Sequence, residues 1–156
     1  MYLKERIELS QAIKHQLLIT RKNLLKEVQD IPAELLDVQP EGFNNTIHWH
    51  VGHVLTVAEQ FLLNYPNSTN LPENYIKLFG YGTKPSEWSG DVPSVATLIE
   101  QLNQQLSRIM EIPDEAFNQT LPEPILGQKT VGELANLSAF HEAYHLGQIH
   151  AMKRIV

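Results

Sequence analysis

The sequence predicts an all-α protein, a four-helix bundle whose helices are joined by long crossover loops. Three observations carry that prediction. Apolar residues recur at three- and four-residue steps in four separate stretches, the signature of helices that bury one face. Nothing between them reads as a convincing strand. Ile31-Pro32, the Pro- and Gly-rich stretch 65–93 and Ile112-Pro113 separate the four stretches, because the residue before proline is pushed out of the α region.

The first helix runs from residue 2 to about 28, with Leu3, Ile7, Ile13, Leu17, Leu24, Leu25 and Val28 as its apolar stripe. A loop to Asn45 follows, with room for a short turn at 33–36. The second helix is expected from Thr46 to Asn64, capped by Asn45 or Thr46. It carries Trp49, His53, Val57 and Gln60 on one face, with His50 beside His53. Residues 65–93 are irregular, with one short helix expected at 72–79, and Tyr75, Phe79, Tyr81 and Trp88 are aromatic enough to pack over something. The third main helix spans 94–110, with Val95, Leu98, Leu102, Leu106 and Ile109 inward. The two Ile-Pro-x-Glu breaks each lead by a loop into a His-bearing helix, a faint internal repeat. The fourth main helix opens at Thr130, which forms a capping box with Glu133. A helix of 27 residues spans roughly 40 Å and an extended loop of 16 reaches roughly 50 Å, so consecutive helices have the slack to run parallel.

A chain of 156 residues is expected to form one domain over 1–156 with a sizeable core. Net charge is −6, from 12 basic and 18 acidic side chains, which argues against a broad basic surface for nucleic acid. Cysteine is absent, which excludes disulfides, Cys-ligated metal and an internal thiol nucleophile. The charged amino terminus does not read as a signal peptide and no apolar run approaches a membrane span, so a cytoplasmic protein without membrane contact is expected.

Chemistry concentrates in the histidines. His141 and His145 stand four residues apart on the inward face of the last helix, a spacing that two ligands of one ion can use. With His53 they would make three imidazoles from two helices with further coordination left open, which is what a catalytic site needs; structural zinc sites are usually closed by four ligands. Imidazole also suits nickel, copper and iron. His150 and His48 are each five residues from a candidate ligand and turned about 140° away, and His15 sits among polar neighbours. The competing reading makes these rings hydrogen-bonded core residues, and Trp49, Tyr144 and Gln148 ordinary packing. Only a tertiary contact between His53 and the last helix separates the two.

Trp49-x-x-x-His53, followed far downstream by His141-x-x-x-His145-x-Gly147-Gln148, resembles the DinB/YfiT-like superfamily of bacterial stress-associated proteins. The likeness includes the long first helix, the Phe79-Gly80-Tyr81-Gly82-Thr83-x-Pro85 segment and the closing His helix, and so covers essentially the whole chain. It implies a four-helix bundle, frequent homodimers, and a divalent ion, commonly zinc or nickel, on His53, His141 and His145. It also implies a small-molecule substrate, since members include transferases and isomerases that use low-molecular-weight thiols, and some hydrolases.

An ion on neutral imidazoles can lower the pKa of bound water to about 7 or hold a thiol as its thiolate. A thiol would have to come from outside this cysteine-free chain. A metal-dependent thiol S-transferase is the leading expectation, with a metal-dependent hydrolase and a non-catalytic, stress-related metal-binding dimer as rivals. His50, Tyr144 and Gln148 are the candidate pocket residues. His50 and Tyr144 could relay a proton or orient substrate.

Overall fold

In the computed structural model, residues 2–63 and 70–156 are described, with the side chains of residues 2–4, 6 and 7 excepted. The Leu3 and Ile7 side chains of the stripe, the expected helix end at Asn64 and the 65–69 part of the irregular stretch lie outside what is described.

Four long helices make the body: α1 (Tyr2–Gln29), α2 (Ile47–Ala58), α4 (Val95–Met110) and α5 (Val131–Met152). The short α3 (Tyr75–Phe79) lies in the long connection, where the aromatic segment predicts it. The starts of α2, α4 and α5 follow from caps. Thr46 accepts from the Trp49 amide, Ser94 from the Thr97 amide, and Thr130 and Glu133 close the capping box. Ile31-Pro32 and Ile112-Pro113 end α1 and α4 alike, each proline opening a short 3₁₀ turn with nearly the same backbone angles. That local geometry recurs in the two places the Ile-Pro-x-Glu pattern occurs.

Two elements depart from expectation. α2 gives way to a π turn at Glu59–Leu63, and a small antiparallel hairpin, β1 (Thr120–Ile125) and β2 (Gln128–Thr130), precedes α5. Leu126 and Gly127 both take positive φ at its tip, the two-residue turn that matches the twist of hairpin strands.

α1 packs against α4 and α5, and α2 packs against the same two helices, so α1 faces α2 across one diagonal and α4 faces α5 across the other. Lys14 reaches Asp114 and Arg21 reaches Leu102, which makes α1 and α4 antiparallel. Arg21 with Glu142 and Glu27 with His150 make α1 and α5 parallel. The order is up-down-down-up. Only the α2-to-α4 connection uses its length to keep successive helices parallel; the other two connections cross the bundle's diagonal.

α2 is buried on every side, from Ile47 to Ala58, rather than along one stripe. It is the central helix. Apolar packing divides into two clusters. One holds Leu24, Val28, Val54, Leu55, Leu102 and Ile149, and the other holds Ile13, Leu17, Ile109, Phe117, Ala135 and Ala139. Along α1, α4 and α5 a buried polar residue separates the two: Arg21, Gln105 and Glu142. Glu59 does the same where α2 ends.

These four side chains form one network. Arg21 donates to both Glu142 oxygens at 2.6 and 3.0 Å, to the Leu102 carbonyl at 2.8 Å and to Gln105 at 3.0 Å. Gln105 donates to Glu59 at 2.7 Å and to the Leu55 carbonyl at 2.9 Å. Arg108 closes on both Glu59 oxygens at 2.7 and 2.8 Å, and Asn70 adds a bond at 2.9 Å. Two guanidinium groups meet two carboxylates, so the layer is neutral and its bonds are charge-assisted. Burial pushes the Glu59 carboxyl up, but bonds from Arg108, Gln105 and Asn70 outweigh it and hold it below the ordinary range.

Candidate metal centre

α2 and α5 are antiparallel neighbours, which brings the middle of each helix together. His53 Nε2 and His141 Nε2 lie 3.1 Å apart, and His145 Nε2 lies 3.1 Å from His141 Nε2. One nitrogen from each ring falls within 4.8 Å of the other two. Two nitrogens bound about 2.0–2.1 Å from one ion at a tetrahedral angle stand roughly 3.3 Å apart. The spacing therefore fits a shared ion, and the His53, His141 and His145 trio could hold one.

The surroundings prepare each ring. His53 Nδ1 is 2.6 Å from the Phe79 carbonyl. That oxygen can only accept, so Nδ1 carries the proton and the neutral ring keeps its Nε2 lone pair for the cluster. A metal-ligating histidine is commonly fixed this way by a backbone carbonyl. Trp49 stacks on His53, with centroids 4.4 Å apart and 14° between planes. Its indole donates to Thr83 Oγ1 at 2.9 Å, and Thr83 donates to the carbonyls of Leu78 and Gly80. The segment around Gly80 thus holds both the ring and the tryptophan that covers it. Gly52 makes this possible, since a Cβ there would sit 2.3 Å from the Phe79 ring.

His50 belongs to the same cluster. Its Nδ1 is 2.8 Å from His145 Nδ1, so one of the two donates. Burial, with a smaller contribution from His53, lowers His50 and His141 to about 4. Burial and three neighbouring imidazoles take His145 to about 2. Burial lowers His53 as well, against the Phe79 carbonyl, which favours its protonated form. The rings are neutral at pH 7, the form a metal ion requires.

The cluster opens into a cavity of about 810 Å³, within the usual size of a small-molecule site. Tyr144, half exposed, and Gln148 line it. Asn44, Asn45 and Lys84 line it too, although the sequence offers Asn45 only as a helix cap and gives the other two no role. The buried Asn45 Oδ1 has no hydrogen-bond partner among the described residues. Among the described residues, no carboxylate side chain lines it.

The three excluded histidines sit elsewhere. His15 is exposed on α1, and His150 is exposed and 3.2 Å from Glu27. His48 is buried on the far side of α2, 2.8 Å from both Asp37 and the Pro93 carbonyl.

A helical bundle with three convergent imidazoles and an adjoining cavity is the class that fold and site define. The sequence profile of the DinB superfamily matches residues 16–149, and the chain belongs to that family. The chain is similar to a solved structure, the crystal structure of a conserved protein from Enterococcus faecalis. That likeness has a TM-score of 0.68 at 13% identity and covers 94% of this chain and 96% of the other. It shows the fold. None of the curated proteins matches the chain. Among the described residues, no helix is long and apolar enough to cross a membrane.

Proposed function

We propose that the protein is a metal-dependent enzyme that joins an external low-molecular-weight thiol to an electrophilic small molecule. The observation that supports this reading is the meeting of the His53, His141 and His145 nitrogens at the edge of a cavity large enough for two small reactants. The three rings would hold zinc or nickel. Such an ion supplies positive charge that favours the deprotonated form of a thiol or of water at neutral pH.

The chain's own side chains supply the rest. His53 is held by the Phe79 carbonyl with its lone pair inward. Trp49 covers one face of that ring against water. The hydrogen bond between His50 and His145 fixes His145, and His50 also borders the cavity, where it can take or return a proton. Asn45 and Gln148 present amides to a substrate, and Tyr144 places a phenol at the rim. The acid-free lining keeps a thiolate from being repelled.

The test begins with metal content by inductively coupled plasma mass spectrometry on untagged protein. About one divalent ion per chain is expected, lost in both His53→Ala and His141→Ala. Conjugation of glutathione or bacillithiol to chloro-dinitrobenzene should then depend on that metal. Metal bound without conjugation of any thiol would overturn the transferase reading. Turnover without thiol would assign a hydrolase, and metal-dependent melting without turnover a non-catalytic module. The homodimer implied by the family is checked by sedimentation.

A further inference from the structure

We propose that the buried Arg21–Glu142–Gln105–Glu59 network is a register clamp that sets how far His53 stands from His141 and His145. The proposal rests on the reading that these three rings hold a metal, and it concerns positioning residues that never touch the ion.

The geometry starts from adjacency. Glu142 follows His141 directly and precedes His145 by less than one turn, and Arg21 grips both of its oxygens. A carboxylate gripped at two points cannot let its helix turn about its own axis or slide without losing a bond. α5 is therefore fixed in rotation and height against α1. On the other side, Gln105 holds the Leu55 carbonyl, two residues beyond His53, and the Glu59 carboxylate. That fixes α2 against α4. Arg21 joins the halves through Gln105 and the Leu102 carbonyl. Both ligand-bearing helices are thus tied to one buried point.

Apolar packing cannot do this alone. Where the clusters flank the layer on α1, α4 and α5 they present Leu17, Leu24, Leu102, Ile109, Ala139 and Ile149, aliphatic side chains that tolerate repacking at similar volume. A shift of one turn would strand the buried Arg21 guanidinium and the buried Glu142 and Glu59 carboxylates. Buried ion pairs add little net stability over apolar residues of similar volume, and registry is their best-attested use. The site needs that registry. Nitrogens 3.1 Å apart leave little room for a helix to slide before they cease to share one ion.

The decisive variant is the double substitution Arg21→Met with Glu142→Leu, which removes both charges and keeps the volume. It is read three ways: melting, zinc affinity by competition titration, and the visible spectrum of the cobalt form. Folded protein with affinity about 10–100-fold weaker and an altered cobalt spectrum is the expected result. A folded double variant with wild-type affinity and spectrum would overturn the clamp. Should the double variant fail to fold, Gln105→Leu decides, since it cuts the bridge but leaves each ion pair whole; weaker zinc binding supports the clamp and unchanged binding overturns it.

A metal-free reading keeps this separate from the proposed function. The hydrogen bond between His50 and His145 crosses from α2 to α5. Its ring N–H should give a protected proton resonance in the apo wild type and lose it in the variants. A wild type that binds no metal would sink the enzyme reading, while this resonance still judges the clamp.

Discussion

Two polar clusters sit side by side in the middle of this bundle, and they solve opposite problems. The Arg21–Glu142–Gln105–Glu59 layer is closed: charges balance and its carboxylates and guanidinium groups find partners. The histidine cluster is open. Its rings are neutral, bonded partly to one another, and face a cavity. The first ties all four long helices together and the second lies between α2 and α5, and the two stand one residue apart at His141 and Glu142. The first holds structure; the second is left with bonding capacity for something else. A buried polar group with no such outlet would simply cost stability.

The comparison breaks most readily at Arg21. Arg21→Ala leaves Glu142 as an uncompensated buried charge, and about 3–5 kcal/mol of stability should go with it. Thermal melting should show a drop of roughly 10 °C. His141→Ala in the metal-free protein should cost far less, because no charge is stranded.

Zinc narrows the gap. At a hundred times its Kd it should add about 2.7 kcal/mol to the wild type, read as a rise in Tm. His53→Ala should show no such rise.

Gly52→Ala tests how the open cluster is built. The added methyl meets the Phe79 ring, and overpacking of this kind costs about 1–3 kcal/mol. Because Phe79 also orients His53, the zinc-induced rise in Tm should shrink as well.

A pH series sharpens the contrast by separating the two windows. The lowered histidines bind fewer protons folded than unfolded, so metal-free protein should lose stability as pH falls from 6.5 towards about 4. Glu59 is also lowered, from 4.5, so its contribution is complete above that pH and is lost only below it. Denaturant midpoints should fall in the upper window for the wild type and less steeply for His141→Gln. Glu59→Gln should flatten only the lower window. The smallest effect is Thr83→Val, which removes the partner of the Trp49 indole for about 1 kcal/mol, read as a small drop in midpoint.

The helices and their caps were legible because periodicity and capping are local. His141 and His145 share a face for the same reason, and His50 announced itself by standing one turn from His53. That His53 meets the last helix is a tertiary contact, and the sequence carried it only through the family likeness. The hairpin was hidden by Pro122 and Pro124, which argue against a strand, and by a leucine at a turn position with positive φ. The polar layer was missed although Arg21 and Glu142 occupy apolar-stripe positions, Arg21 between Leu17 and Leu24 and Glu142 between Ser138 and Ile149. A charged residue there reads as noise until its partner is known, and Arg21 lies 121 residues from Glu142. Stretch 42–45 offered no signal, because loops that line cavities have no period.

The diagonal connections bear on how the chain assembles. His53 and His141 are 88 residues apart, and α1 reaches α2 only across the bundle. Loop-closure entropy must be met before such distant contacts return anything, and chains rich in them fold slowly. The imidazoles come together only when α5 has docked. A ligand of all three rings therefore acts on a finished protein: it should slow unfolding and leave the folding rate nearly unchanged.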